Sequence, residues 1–246
     1  MIRLSVNVNK VATLRNARGG DLPRVREAAE VAIAAGCHGI TVHPRPDERH
    51  IRFADVEELA GWLPVEFNIE GFPAEPWLGL VERVRPAQAT LVPDPPDVLT
   101  SNAGWRFGEV DRVWLREVIA RLHEAGCRVS LFVDPVPAEA EAAPSVGADR
   151  VELYTEEYAR AFPTPDRDAV FARYRETAER ALAVGLGLNA GHDLDLENLP
   201  FLARHLPGLQ EVSIGHALIS DALYRGLAPT VKAYLAALSG GSGSRA

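Results

Sequence analysis

The chain has 246 residues, with a hydrophobic fraction of 47%, a charged fraction of 24% and a formal net charge of −8. That is material for one large α/β domain or two small ones, and its acidity argues against a nucleic-acid surface. No apolar run reaches the roughly 18 residues of a membrane span, the N-terminus lacks the apolar core of a secretory signal, and Cys37 and Cys127 are too few and too distant for a disulfide framework or a zinc site, so a cytoplasmic enzyme with no membrane partner is expected.

Eight short apolar runs are predicted strands, near 2–9, 38–43, 65–70, 88–92, 128–133, 149–154, 186–189 and 210–214. The first, LSVNVN, runs out through Asn7 and Asn9 into an expected loop at 10–21 that carries Lys10, Arg15 and Arg18. A helix near 22–35 leads to GITVH, which ends on His43 and opens into a loop, 44–53, bearing Arg45, Arg49, His50 and Arg52. After a helix near 54–62, VEFNIE ends on Glu70, and a helix near 75–84 leads to the fourth strand. The segment 93–110 is long and rich in Pro and Gly, the signature of a functional or disordered loop and a candidate lid. A helix near 111–125 precedes VSLFVD, ending on Asp134; a helix near 137–145 precedes RVELY, which carries Glu152. A helix near 166–184 leads to LGLNAGH, ending on His192, and a helix near 195–204 to EVSIGH, ending on His216. Helices near 217–225 and 228–238 close the chain, leaving residues 1–238 as one catalytic domain and the Gly/Ser-rich 239–246 as a flexible tail.

AAGCHGITV, EAGCRVSLF, SVGADRVEL and AVGLGLN each set a glycine between a helical pattern and an apolar run, the slot where a left-handed cap ends a helix. Repeated strand–helix alternation with near-continuous apolar strands specifies an α/β architecture, read here as a (β/α)8 barrel with extra helices. A doubly wound sheet is disfavoured: it usually opens with a Gly-rich turn after the first strand, whereas the glycines here come only at Gly19 and Gly20. In a barrel the carboxyl ends of all strands share one rim, where such enzymes place their active sites. Residues spread over two hundred positions then meet in one pocket.

At that rim Glu70 is expected to be a desolvated carboxyl with a raised pKa, suited to proton transfer near neutrality; the alternative is a structural carboxylate paired to an arginine. His43 is a proton-exchanging side chain, and Arg45, Arg49 and His50 behind it form a candidate anion-binding loop, although Arg49 and Arg52 also fit a solvated charge run. Gly191 and Gly215, after strands seven and eight, let backbone amides approach an oxyanion where barrels often bind phosphate. His43, His50, His192, His216 and Glu70 contain no H-x-H or H-E-x-x-H pair, so no metal is expected.

In order and spacing, the stretches NVNKVATLRNARGG, GITVHPRPDERHI, FNIEG, LVPDPP with a following LT, VSLFVD, VELYT, LNAGHDL and SIGHALI resemble the pyridoxine 5′-phosphate synthase family over about residues 3 to 235. The resemblance implies an octamer built from dimers of (β/α)8 barrels. It implies condensation of 1-deoxy-D-xylulose 5-phosphate with 3-amino-2-oxopropyl phosphate, releasing phosphate and water, with neither metal nor organic cofactor. His43 and Glu70 match proton acceptors and His192 a proton donor. Asn7, Arg45, His50 and Thr100 match contacts to the deoxyxylulose phosphate, as does the Asn9-Lys10 pair, which stands where many members have Asp-His. Arg18 and the Gly215-His216 step match contacts to the aminoketone phosphate, with Asp193 beside that site where many members have Gly, and Glu152 matches a further acid of the pocket. The alternatives are another phosphosugar-handling barrel of the isomerase or aldolase type, or a barrel that only binds a phosphorylated metabolite. A Schiff-base aldolase needs a strand-end lysine, which no predicted strand supplies.

Overall fold

In each strand two kinds of side chain alternate, and the alternation decides which face meets the helices. Leu4, Val6, Ile40, Val42, Leu131 and Val212 are buried in the main apolar core. Interleaved with such apolar residues, Ser5, Thr41, Asn68, Ser130 and Asn189 are just as buried but polar. The computed structural model, which describes residues 1–93 and 103–240, resolves this by closing the strands into a barrel.

The strands are β1 (Arg3–Asn7), β2 (Gly39–Val42), β3 (Glu66–Gly71), β4 (Gln88–Leu91), β5 (Arg128–Val133), β6 (Arg150–Tyr154), β7 (Gly187–Gly191) and β8 (Leu209–Ile214). All neighbours pair in parallel, and β1 pairs with β8 through Arg3↔Glu211 and Ser5↔Ser213. The helices are α1 (Asn9–Asn16), α2 (Val25–Ala34), α3 (Phe53–Ala60), α4 (Glu75–Val84), α5 (Arg112–Glu124) and α6 (Pro137–Ala142), followed by α7 (Glu156–Ala161), α8 (Arg167–Ala183), α9 (Leu199–His205), α10 (His216–Arg225) and α11 (Leu227–Leu238). The expected (β/α)8 barrel with extra helices is what forms.

Bulky branched residues usually fill the interior of such a barrel; here it is a hydrogen-bonded polar lattice. Ser5 Oγ and Thr41 Oγ1 lie 2.6 Å apart, Asn68 Nδ2 donates to Thr41 Oγ1 at 3.4 Å, and Thr90 Oγ1 donates to Asn68 Oδ1 at 2.9 Å. Asn189 Nδ2 spans the lumen from β7 to Gln88 Oε1 on β4 at 3.5 Å. Below this lattice the amino-terminal end of the barrel is tied by charge. Arg3 pairs with Glu66 at 2.5 Å and with Glu211 at 3.2 Å, Arg128 also pairs with Glu66, and Arg150 donates to Asn189 Oδ1 at 2.8 Å. Burying polar groups is tolerable only when they are partnered, and this network partners nearly all of them. Ser130 Oγ and Glu152 Oε2 are the exceptions among the described residues.

Three expectations need correction. The span 10–21 is not a loop throughout: α1 occupies its first half, started by Asn7 Oδ1 accepting the Asn9 N–H at 3.0 Å and by Val8 O accepting from Val11 and Ala12. Its arginines hid the pattern, because Arg15 is a buried residue: it donates to Asp55 at 2.6 and 2.9 Å and to His50 O at 3.1 Å. The helix α7, directly after β6, was not expected at all. The helix read at 137–145 ends at Ala142 and continues as a 3-10 turn over Ala143–Val146, where Pro144 supplies no N–H for an α-helical ladder. Much of the segment 93–110 and most of the Gly/Ser tail lie outside the described residues.

Candidate active site

The carboxyl ends of the strands surround a cavity of about 620 Å³. Asn7, Asn9, Lys10, His43, Arg45, His50, Glu70, Glu152, His192, Asp193, Gly215 and His216 all line it, although they are drawn from six strands and the turns that follow them. One expected residue, Arg18, is not among the described lining. Arg18 is exposed just beyond α1, and Thr100 lies outside the described residues. Arg49 does line the cavity, while its guanidinium bonds Asp47 at 2.7 Å. Arg52 instead donates to Asn16 Oδ1 at 3.2 Å, away from the cavity lining.

Glu70 sits at the centre. Its Oε1 accepts from Ser213 Oγ at 3.3 Å and its Oε2 from Asn7 Nδ2 at 3.4 Å, and its side chain is 14% exposed. Burial pushes its pKa up to about 7, against the pull of the Ser213 hydroxyl and of His192. His43 Nδ1 is 3.9 Å from Glu70 Oε2, too far for a hydrogen bond. Burial, then Arg45, His50 and Arg49, hold His43 well below the ordinary imidazole range, so this contact is a neutral base facing a half-ionised acid, not an ion pair. The backbone N–H of His43 is fixed by Asn9 Oδ1 at 2.9 Å. Asn9 therefore braces β2 from the start of α1, a role its amide performs without needing to titrate.

His50 is held at about 4 by burial, then by Arg45, Lys10 and Arg49. Those three cations make one side of the cavity positive in a protein whose net charge is −8. The starts of α1, through Asn9 and Lys10 with Thr13 one turn on, and of α10, through His216 and Ala217, both line the cavity. The start of α10 offers backbone N–H groups at a positive dipole end, whereas at α1 the N–H groups of Asn9, Val11 and Ala12 are already bonded and the Lys10 side chain supplies the charge, so the cavity has two separate places suited to anionic groups. At Gly215 a Cβ would come within 3.1 Å of the Asn7 side chain, so α10 starts close against β1 because the residue is glycine.

Glu152 lies deeper, buried with one carboxyl oxygen unpartnered; burial first, then Glu70 and Glu211, raise its pKa well above the ordinary range. Its Oε1 lies so close to Gly191 that an added Cβ there would be 2.2 Å away. Reasoning from strand ends missed Ser213, Thr90, Val92 and Phe132. Period-two alternation counted back from Gly215 marks Ser213, the Glu70 partner, as inward-facing. Among the described residues no group of three or more His, Cys, Asp or Glu is arranged to hold a metal ion, and no helix is long and apolar enough to cross a membrane.

The model of the pyridoxal phosphate biosynthesis protein PdxJ family matches residues 4–240. The chain is similar to the pyridoxine 5′-phosphate synthase of Parabacteroides distasonis, 52% identical over 97% of this chain and 100% of the relative. It is likewise similar to that of Christiangramia forsetii, 54% identical over 96% of this chain and 98% of the relative. A solved phosphoribosylanthranilate isomerase from Thermotoga maritima shares the barrel, with a TM-score of 0.60 and 15% identity over 98% of this chain and 100% of that one. The M. tuberculosis tryptophan synthase chain shares it too, with a TM-score of 0.61 and 16% identity over 97% of this chain and 92% of that one. Those two likenesses speak for the fold alone. The near full-length sequence matches say more: the chain belongs to the PdxJ family of pyridoxal phosphate biosynthesis proteins.

Proposed function

We propose that this cavity condenses 1-deoxy-D-xylulose 5-phosphate with 3-amino-2-oxopropyl phosphate into pyridoxine 5′-phosphate, with release of phosphate and water, by acid–base catalysis. The observation that carries the reading is Glu70: a buried carboxyl poised at about 7, beside a neutral His43 at 3.9 Å and in a cavity with two places suited to anionic groups. Ring closure requires imine formation, proton shifts at carbons beside carbonyl or imine groups, loss of phosphate and dehydration. Each shift needs an acid or base titrating near the working pH, and each such group contributes about 10²–10⁴-fold.

In this reading His43 and Glu70 accept protons and His192 donates one. Arg45, His50, Lys10 and the start of α1 hold the phosphate of the deoxysugar, with Asn7 and Thr100 among its other contacts. The start of α10, with Gly215 and His216, holds the aminoketone phosphate, reached also by Arg18. Glu152, its pKa raised by burial, serves as a further acidic residue of the pocket. Assembly as an octamer built from dimers, and a cytoplasmic location, belong to the same reading and rest on the family resemblance.

The test is direct. The purified protein, given both phosphorylated substrates, should form a product with pyridine absorption and release one substrate phosphate as free phosphate per ring. Ring-independent phosphate release, or isomerisation of the sugar phosphate alone, would replace the reading with a phosphosugar isomerase or aldolase-type reaction. Sedimentation checks the assembly.

A further inference from the structure

His192 and Asp193 close the carboxyl end of β7 as a hydrogen-bonded pair. Nδ1 of His192 lies 2.8 Å from Oδ2 of Asp193. That bond, more than burial, decides the state of Asp193: it holds the carboxyl below its ordinary range, so the group is ionised near neutral pH. An ionised carboxylate only accepts hydrogen bonds, so the shared proton sits on Nδ1 of the ring. Nε2 is then the nitrogen left for the reacting groups.

The pair is held from several sides. The ring of Tyr154 stands nearly perpendicular to the imidazole, at 85° with centroids 5.0 Å apart. Thr155 Oγ1 donates to His192 O at 2.6 Å, and Asn198 Nδ2 donates to Asp193 O at 3.1 Å. The backbone is strained where the pair is made: His192 has φ 75° and Asp193 φ 37°. Two consecutive side-chain-bearing residues in the left-handed region carry a conformational cost that glycine at either place would avoid. At 193 the side chain offsets that cost with its hydrogen bond to the neighbouring ring.

We propose that Asp193 is a positioning residue: its carboxylate fixes the Nδ1–H tautomer of His192 and turns Nε2 toward the reacting atoms, in place of the substrate contact expected of Asp193 from the sequence. In that tautomer Nε2 carries no proton of its own: it takes one from a reacting group and, as an imidazolium backed by the Asp193 carboxylate, gives it up in a later step. That donor role rests on the ring-closing reading; the tautomer itself does not depend on it. The logic is that of a carboxylate holding a catalytic imidazole in one tautomer, where loss of the acceptor leaves the ring in place with its proton on the wrong nitrogen.

The experiment combines nitrogen NMR of labelled imidazole rings with steady-state kinetics on wild type, D193G and D193N. D193G removes the side chain and relaxes the backbone at 193, so folding is not the obstacle. D193N keeps the side-chain size, but its amide can turn an N–H toward the ring. Wild type should show His192 protonated on Nδ1, D193G a mixture of tautomers, and D193N a shift toward the Nε2–H form. In both variants kcat should fall about 10- to 100-fold while KM for either substrate changes little, since a group acting through the acid lowers the rate of the chemical step rather than binding. An unmoved His192 tautomer in D193G, or a loss confined to KM, overturns the proposal. If wild type forms no product, the ring-closing reading falls, and with it the donor role, while the NMR still decides whether Asp193 sets the tautomer.

Discussion

Glu70→Gln should move activity and stability in opposite directions. The substitution keeps side-chain volume and removes the ionisable group, so turnover should drop about 10²–10⁴-fold, the contribution of a positioned acid or base. At 1.36 kcal/mol per decade that is roughly 3–5 kcal/mol of transition-state stabilisation. The stability change follows from linkage. The ordinary carboxyl value is 4.5, and burial raises it to about 7 in the folded protein. Between those pH values the folded chain keeps a proton that the unfolded chain has released, so stability falls as pH rises. The Glu70 penalty is absent below about 4.5 and complete above about 7; at 1.36 kcal/mol per pH unit it approaches about 3 kcal/mol. With the side chain only 14% exposed, solvent screening removes little of it. Glutamine pays no such penalty. The assay is urea unfolding of wild type and variant at pH 5 and pH 8.5, at one protein concentration, alongside ring-forming turnover. The variant should gain stability relative to wild type at the higher pH by about 2–3 kcal/mol more than at the lower, while its turnover collapses. An equal stability difference at the two pH values would refute the raised carboxyl, and retained turnover would refute its role as a base.

Other substitutions separate binding from scaffolding. Arg45→Gln, on the cationic side of the cavity, should raise KM for the deoxysugar phosphate about 10- to 100-fold with kcat little changed, the worth of about 1.5–3 kcal/mol for hydrogen bonds to a charged group; an unchanged KM would place that phosphate elsewhere. Arg15→Met should do the reverse: removing a buried guanidinium bonded to Asp55 at 2.6 and 2.9 Å should cost about 3 kcal/mol of stability, read by thermal unfolding, and leave KM alone. Gly191→Ala would drive a methyl group to 2.2 Å from Glu152 Oε1. It should cost about 1–3 kcal/mol by overpacking and lower turnover by displacing that carboxyl, so a fully active G191A would remove Glu152 from the site.

The strands were legible in the sequence because their apolar runs must be buried against helices, and the glycines that precede several of them mark where helices end. Once eight strands close in chain order, the convergence of His43, Glu70, His192 and His216 follows from topology alone, since every carboxyl strand end meets the same rim. What the sequence left hidden is what depends on distant partners. The polarity of the lumen was invisible because Ser5, Thr41, Asn68 and Gln88 are interleaved with apolar neighbours, and only closure brings them within hydrogen-bonding distance. Arg15 reads as a loop cation until Asp55, forty residues away, is set beside it, and that pairing is what lets its guanidinium be buried on α1. The same holds for Asp193, an acidic residue near a phosphate site in the linear chain and the partner of His192 in the folded one. Local pattern dictates which segments form strands and helices; protonation states and hydrogen-bond partners are set by burial and by charges far away in the chain, and these exist only after the barrel has closed.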